Sequence, residues 1–310
     1  MSKEIKDIDL VIIGGGPAGL TAAIYAARAN MEALLLEDKF IGGQVKNSYT
    51  IENYPGFKNI SGADLADLMQ EQAEEAGANI DEFDIIENVK FNDEERLIET
   101  EEAIYRAKTV ILATGAIPKK LPIKNEEKFF GKGIHYCAVC DGAMYKDKVV
   151  GVVGGGNSAL EEAIFLTNFV KKVYIIRRKD SFNGEKSVID KVMNNEKIEV
   201  LFNKDLVDVE GENFVTKAII KDTKTGEISE VKLEALFGYI GTEPKTAIFR
   251  EYIKLNDYGY VLTDGNMRTN IKGVFAAGDV REKEYRQITT AVSDGTIAAL
   301  EAEKFLNKLK

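Results

Sequence analysis

The sequence predicts an α/β protein of two Rossmann-like, three-layer nucleotide-binding units, the second inserted into the first. Three observations carry that expectation. An apolar strand, a glycine turn and a helical stretch follow one another at residues 9–13, 14–19 and 20–29. The same succession returns at residues 149–153, 154–159 and 160–167. Prolines then mark the two places where the chain would leave the first unit and come back to it.

In the first repeat, Asp-Leu-Val-Ile-Ile leads into Gly14-Gly15-Gly16-Pro17-Ala18-Gly19, and an alanine-rich helix follows. A second apolar strand, residues 33–36, ends at Glu37, which completes a βαβ order. In the second repeat, Gly154 matches Gly14, Gly156 matches Gly16, Ala159 matches Gly19 and Arg177 matches Glu37, all at one offset of 140 positions. A single offset across four such positions indicates a duplicated unit. Between the repeats, residues 61–76 read as an amphipathic helix with Ser61 and Asp64 forming its cap and Gly77 at its end. Residues 109–113 read as a strand and 289–309 as a C-terminal amphipathic helix. Pro118, Pro122 and Pro244 place the crossings, so residues 1–117 and 246–310 are expected to form one discontinuous domain, with 118–245 inserted.

Composition narrows the function. The 310 residues carry 41 Lys+Arg against 51 Asp+Glu, a net charge of −10, which argues against a nucleic-acid surface or a polybasic membrane anchor. No apolar run approaches the roughly 18 residues of a membrane span, and the first residues mix charges without an apolar signal core. A cytoplasmic protein is expected.

Gly14-x-Gly16-x-x-Gly19, between strand and helix, fits a dinucleotide. The first glycine permits the tight turn, the second lets a pyrophosphate approach the backbone, and the third lets helix and strand pack closely. The pyrophosphate would sit on the helix N-terminus, where unpaired N–H groups favour anions. Glu37 would accept a hydrogen bond from a ribose 2′-hydroxyl. In the second repeat, Gly154, Gly156, Asn157, Ser158 and Ala159 form the corresponding turn, and the acid gives way to Arg177-Arg178-Lys179. Cations at that place favour a 2′-phosphate, hence NADP over NAD.

The chain has two cysteines, Cys137 and Cys140. A zinc site needs four ligands, and the sequence offers no further cysteine and a single histidine, so no metal is expected. The pair can instead close a small disulfide, with Asp141 beside it either as a general acid or as a turn residue ahead of Gly142. His135 is expected to be a packed side chain rather than a catalyst.

With two nucleotide turns and a CxxC pair, the chain resembles the bacterial low-molecular-weight thioredoxin reductases nearly end to end. The resemblance rests on residues 14–19, Gly42-Gly43-Gln44, Glu52-Asn53-Tyr54-Pro55-Gly56, Ala113-Thr114-Gly115, residues 137–141, residues 154–159, Ala276-Ala277-Gly278-Asp279 and Arg286-Gln287. It implies FAD in the first turn, with Gly43, Gln44 and Asn53 near the flavin. It also implies that Asp279 holds the ribityl–pyrophosphate region and that Arg286 and Gln287 contact the cofactor. It implies that NADPH reduces FAD, that reduced FAD opens a Cys137–Cys140 disulfide, and that the dithiol reduces thioredoxin. In that scheme Cys140 faces the flavin, Cys137 attacks the partner and Asp141 is the acid. A homodimer and a rotating inserted domain are implied as well.

The chain departs from the family's NADPH signature, which is His-Arg-Arg, three further residues and then Arg. Here Arg177, Arg178 and Lys179 are followed by Asn183, and lysine does not replace arginine at a bidentate site. NADH or reduced ferredoxin is therefore the alternative donor, and a peroxiredoxin or another CxxC carrier the alternative acceptor.

Overall fold

The computed structural model describes residues 3–47, 51 and 53–309, apart from the side chains of Asn47 and Cys140. Glu52, within one of the family-like segments, lies outside the described residues. The chain divides into two compact units, residues 1–117 with 243–310, and residues 118–242.

In the first unit, alternation along β1 (Glu4–Ile13) decides the layers. Leu10 and Ile12 point to one face, Val11 and Ile13 to the other, and all four are buried. The first face packs under α1 (Pro17–Arg28) and α2 (Gly62–Glu75) through Leu20, Ala23, Leu65 and Met69. The second face packs against Val89, Phe91 and Phe249. β1 lies parallel to β2 (Ala33–Glu37), which is followed outward by β3 (Asn79–Glu82). On its other side runs β6 (Ala103–Leu112), then the antiparallel β5 (Arg96–Thr100) and β4 (Ile86–Phe91). The Ser61 cap is formed as expected, its hydroxyl accepting from Asp64 N at 3.0 Å.

The chain leaves this unit through β7 (Ala116–Pro118) and returns through β16 (Thr242–Pro244), two segments that pair with one another. The return falls at Thr242/Glu243 rather than after Lys245. Lys245 is tied into the first unit, its N–H donating to Gly115 O (3.0 Å) and its carbonyl accepting from Thr114 Oγ1 (2.8 Å). After the return, β17 (Val274–Ala276) runs parallel to the end of β6, and α7 (Ile288–Asn307) covers the same face as α1.

The second unit begins with the short α3 (Glu126–Phe129) and β8 (Ile134–His135), then α4 (Ala138–Asp141). β9 (Val149–Gly154), α5 (Asn157–Leu166), β10 (Lys172–Arg177), α6 (Lys186–Met193) and β11 (Ile198–Phe202) continue the unit. With β15 (Ala235–Tyr239) these strands make a parallel sheet of order β11-β10-β9-β15-β8. An antiparallel meander of β12 (Lys204–Glu210), β13 (Lys217–Asp222) and β14 (Ile228–Lys232) supplies Val209, Ala218 and Ile220, which pack with Val153 and Leu236. In each unit a glycine turn leaves the carboxyl end of a central strand, where ligands bind open α/β sheets.

Candidate active site

In the first unit the turn is shaped by what its glycines allow. Gly14 has φ 109°, and a Cβ there would stand 2.4 Å from Ala113 O. A Cβ on Gly19 would stand 1.8 Å from Gly14 O, so α1 meets the strand end only because both residues lack side chains. Above Gly16 the nearest atom to an added Cβ is Gly43 Cα, at 4.0 Å, which leaves the approach to the helix open. Pro17 occupies the first turn of α1, Ala18 is buried beside it, and no side chain caps the helix. Glu37, at the end of β2, accepts from Gly15 N at 2.7 Å through Oε2. Burial pushes its carboxyl up from the ordinary glutamate range, and its hydrogen bond with Asp38 adds to that.

The family-like segments gather around this turn. Gly42 N donates to Gly15 O (2.9 Å), which brings Gly43 beside Gly16, with Gln44 next in the chain and exposed. Asn53 Nδ2 donates to Gln287 Oε1 at 3.2 Å across 234 residues of sequence. Ala113, Thr114 and Gly115 lie where β6 ends, beside Gly14. Gly278, with φ 78°, packs so closely that a Cβ would lie 2.9 Å from Ala18 Cβ. Asp279 lies 3.2 Å from Lys283 Nζ. The Arg286 guanidinium sits 4.3 Å over the Tyr260 ring, and its buried Nε has no hydrogen-bond partner among the described residues.

Sequence reasoning missed Asp294 at this site. It is 6% exposed on α7, accepts from Gly278 N at 3.1 Å, and pairs with Arg281 and Lys283, each at 3.2 Å. Its one sequence signal is an acid set among Ala291, Gly295 and Ala298 on the buried stripe of the helix.

In the second unit Gly154 has φ 156°, and a Cβ would lie 2.4 Å from Tyr239 O and 2.8 Å from Ala159 Cβ. The third position therefore accepts the methyl of Ala159 provided that Gly154 stays bare. Gly156 is as open as Gly16, with Asn183 Nδ2 at 3.9 Å from an added Cβ, and no side chain caps α5. Asn157 Oδ1 accepts from Glu185 N at 2.6 Å, and Ser158 is exposed. Arg177 lies across Gly155, donating through Nε to Ser181 O (2.9 Å) and through Nη2 to Asn183 Oδ1 (3.1 Å). Asn183 N in turn donates to Gly155 O at 2.9 Å. Burial and the neighbouring Arg178 lower the Arg177 pKa, while Arg178 and Lys179 are exposed. Asn183 thus holds Arg177 in place, a role that its reading as a missing arginine did not foresee.

The cysteine pair belongs to the same unit. Cys137 is disulfide-bonded, and the sequence contains one other cysteine, Cys140, on α4, whose side chain lies outside the described part. Ala138 N, at the start of α4, donates to the Tyr239 hydroxyl at 2.8 Å. Asp141 ends α4, and its Oδ2 lies 2.9 Å from His135 Nδ1. His135 is 4% exposed, stacks on Phe237 and meets the Tyr145 hydroxyl through Nε2 at 2.8 Å. Burial lowers the His135 pKa, with Asp141 opposing. Burial also raises the pKa of Tyr145 and of Tyr239. On α5, burial pushes the Glu162 carboxyl up to about 7, with nearby Glu161 adding to it, and Glu162 Oε2 has no hydrogen-bond partner among the described residues. His135 is packed, as expected, and is also bonded to Asp141, which was not.

Both glycine turns fit dinucleotides: each offers an uncapped helix N-terminus behind a bare glycine, with a charged side chain at the following strand end. The pyridine nucleotide-disulphide oxidoreductase family matches residues 8–295. A 34.2 kDa protein in the rubredoxin operon of Clostridium pasteurianum is 52% identical, covering 98% of this chain and 99% of its own. The thioredoxin reductase of Peptoclostridium litorale is 42% identical over 97% of this chain and 98% of its own. The crystal structure of Lactococcus lactis thioredoxin reductase superposes with TM-score 0.93 at 40% identity, covering 97% of this chain and 99% of that one. The chain belongs to the pyridine nucleotide-disulphide oxidoreductase family, as a flavoprotein oxidoreductase that uses a flavin and a nicotinamide nucleotide.

Proposed function

We propose that the protein is an NADPH-dependent reductase of thioredoxin, acting through Cys137 and Cys140. The observation that carries this reading is the disulfide at Cys137, on the unit that also holds the second nucleotide turn, with Asp141 bonded close by. Full-length relatives that bear the name thioredoxin reductase support it.

Residues 1–117 and 243–310 would hold FAD. Gly14, Gly16, Pro17, Ala18 and Gly19 would receive the pyrophosphate and Glu37 the ribose. Gly42, Gly43, Gln44, Asn53, Ala113, Thr114, Gly115, Gly278, Asp279, Arg286 and Gln287 would line the rest. Residues 118–242 would hold NADPH on Gly154, Gly156, Asn157, Ser158 and Ala159, with Arg177, Arg178 and Lys179 at the 2′-phosphate. Together the two cofactors supply the electron pair that opens the enzyme disulfide.

The residues of the pair then act by exchange. The Cys137 thiolate attacks one sulfur of the thioredoxin disulfide and releases the other as a thiolate. The Cys140 thiolate attacks Cys137, restoring the enzyme disulfide and freeing the second thioredoxin sulfur. Asp141 gives a proton to the leaving sulfur when the enzyme disulfide is opened. For the exchange to run forward, the dithiol's potential lies near or below roughly −270 mV. The same reading makes the enzyme a cytoplasmic homodimer, since a reducing compartment keeps a catalytic dithiol in use.

The test is a pair of anaerobic measurements. NADPH should bleach the flavin band of both the wild-type holoenzyme and Cys137→Ser, and the variant alone should fail to reduce thioredoxin. Bleaching by NADH or by reduced ferredoxin, but not by NADPH, would overturn the donor. Turnover with a peroxiredoxin but not with thioredoxin would overturn the acceptor.

A further inference from the structure

The single histidine of the chain is placed so as to govern the acid beside the cysteine pair. His135 ends β8 and Asp141 ends α4, and the intervening turn carries Cys137. The imidazole is 4% exposed and uses both nitrogens: Nδ1 lies 2.9 Å from Asp141 Oδ2 and Nε2 lies 2.8 Å from Tyr145 Oη. Phe237 stacks on the ring at 5.4 Å between centroids, so the ring plane is fixed.

The hydrogen positions follow from what each partner can do. A neutral imidazole has one donor and one acceptor nitrogen, and a carboxylate only accepts. Nδ1 therefore carries the proton and donates to Asp141. Nε2 is left as the acceptor, and the Tyr145 hydroxyl donates to it. The chain runs Tyr145 O–H to Nε2, then Nδ1–H to Oδ2. Burial favours this neutral ring.

We propose that His135 is a positioning residue for the acid of the CxxC site: its Nδ1–H fixes the orientation of the Asp141 carboxyl and the affinity with which it holds its proton. The inference rests on the reading of Asp141 as the acid. Opening the enzyme disulfide takes two electrons, supplied by the nicotinamide nucleotide through the flavin. One sulfur leaves with the proton from Asp141, the other remains a thiolate, and Asp141 regains its proton from water. His135 keeps its own proton throughout. A hydrogen bond donated to a carboxylate favours the charged form. Removing it makes Asp141 release its proton less readily, so the alkaline limb of dithiol formation moves to higher pH.

Other groups share this environment. Tyr145 follows α4, Tyr239 on β15 is hydrogen-bonded to Ala138 N, and Glu162 on α5 acts on Tyr239, as Asp141 also does. Tyr239 and Glu162 do not touch the imidazole and stay the same in every variant below, whereas the Tyr145 hydroxyl loses Nε2 in both the Asn and the Phe variant, so comparing those two isolates the Nδ1–H.

Asparagine places an amide N–H close to where Nδ1 stands, whereas glutamine places it near Nε2. Dithiol formation is followed against pH by rapid mixing of holoenzyme with NADPH, quenching with iodoacetamide and weighing the alkylated protein. His135→Asn should keep the wild-type profile. His135→Gln and His135→Phe should both move the alkaline limb up by about one pH unit, the effect of a lost hydrogen bond to a carboxylate. Superimposed profiles for all four proteins, or an Asn variant displaced as far as the Phe variant, would overturn the proposal. Flavin bleaching in the same samples separates this outcome from failure of the donor reading, which would abolish bleaching in the wild type as well. A second measurement needs no turnover: with one histidine in the sequence, 15N-histidine labelling of tag-free protein gives a single imidazole. The Nδ1–H form is expected at pH 7, and a pure Nε2–H form would refute the arrangement.

Discussion

Glu162→Gln tests the burial of charge beside the cysteine pair. The carboxyl lies on α5 with one oxygen lacking a hydrogen-bond partner among the described residues, and burial lifts it to about 7 from an ordinary 4.5. A carboxyl raised in the folded state opposes folding wherever it must ionise. Below pH 4.5 it is protonated in both states and costs nothing. Above about 7 it is ionised in both, and the full difference, about 3 kcal/mol at 1.36 kcal/mol per pH unit, weighs against the fold. Wild-type stability therefore declines as pH rises through that window. Glutamine removes the titration, so the variant gains on the wild type as pH rises, and the gain levels off above about 8. At roughly 2–4 °C per kcal/mol, the difference in melting temperature should widen by about 6–12 °C between pH 4.5 and pH 8.5. Differential scanning calorimetry of the two holoproteins in matched buffers would measure it. A difference in melting temperature that stays constant with pH would refute the assignment of a buried, raised carboxyl to Glu162.

Three further outcomes follow from the nucleotide turns. Gly19→Ala should purify largely without flavin and lose at least about 2 kcal/mol of stability, because its methyl would stand 1.8 Å from Gly14 O; flavin absorbance per protein and a thermal melt would measure both. Asp294→Ala should cost about 3–5 kcal/mol, since it strips the carboxylate from Arg281, Lys283 and Gly278 N in a buried site; urea unfolding followed by flavin release reports the loss. Asn183→Arg should raise the NADPH-to-NADH ratio of kcat/KM by about tenfold, the added cation at the second turn outweighing the loss of the Asn183 Oδ1 acceptor of Arg177. Steady-state kinetics with each donor would show it, and an unchanged ratio would detach position 183 from the 2′-phosphate.

The two βαβ turns were legible because their signal is local. Glycine spacing, the apolar strand before and the charged residue at the next strand end all fall within about 25 residues. The Ser61 cap was legible for the same reason, since side chain and N–H are three residues apart. Helix starts were less sharp: α1 begins at Pro17 and α5 at Asn157, each three residues ahead of the apolar periodicity, because the first turn of each is set by the glycine cradle. The β12–β14 meander went unread, although half-buried Lys217 and exposed Lys221 flank buried Ala218 and Ile220 along β13. Asp294 was hidden for a different reason. Its partners Gly278, Arg281 and Lys283 come from the segment ahead of the helix, and no periodicity links them to it. The His135–Asp141 contact depends on how β8 turns into α4, which two residue names six positions apart do not disclose.

The repeats also show why duplication of a backbone need not duplicate its chemistry. In the first, the residue at the strand end is an acceptor, and Glu37 ties down the turn directly through Gly15 N. An arginine at the matching position cannot accept from Gly155 N, because every guanidinium nitrogen is a donor. The second turn is therefore fastened from elsewhere: Asn183 N donates to Gly155 O, and the Asn183 side chain accepts from Arg177. The loop after β10 thus supplies the polar partner that β2 carries within its own last residue. Replacing an acid by a base at one strand end moves the support of the glycine turn six residues along the chain.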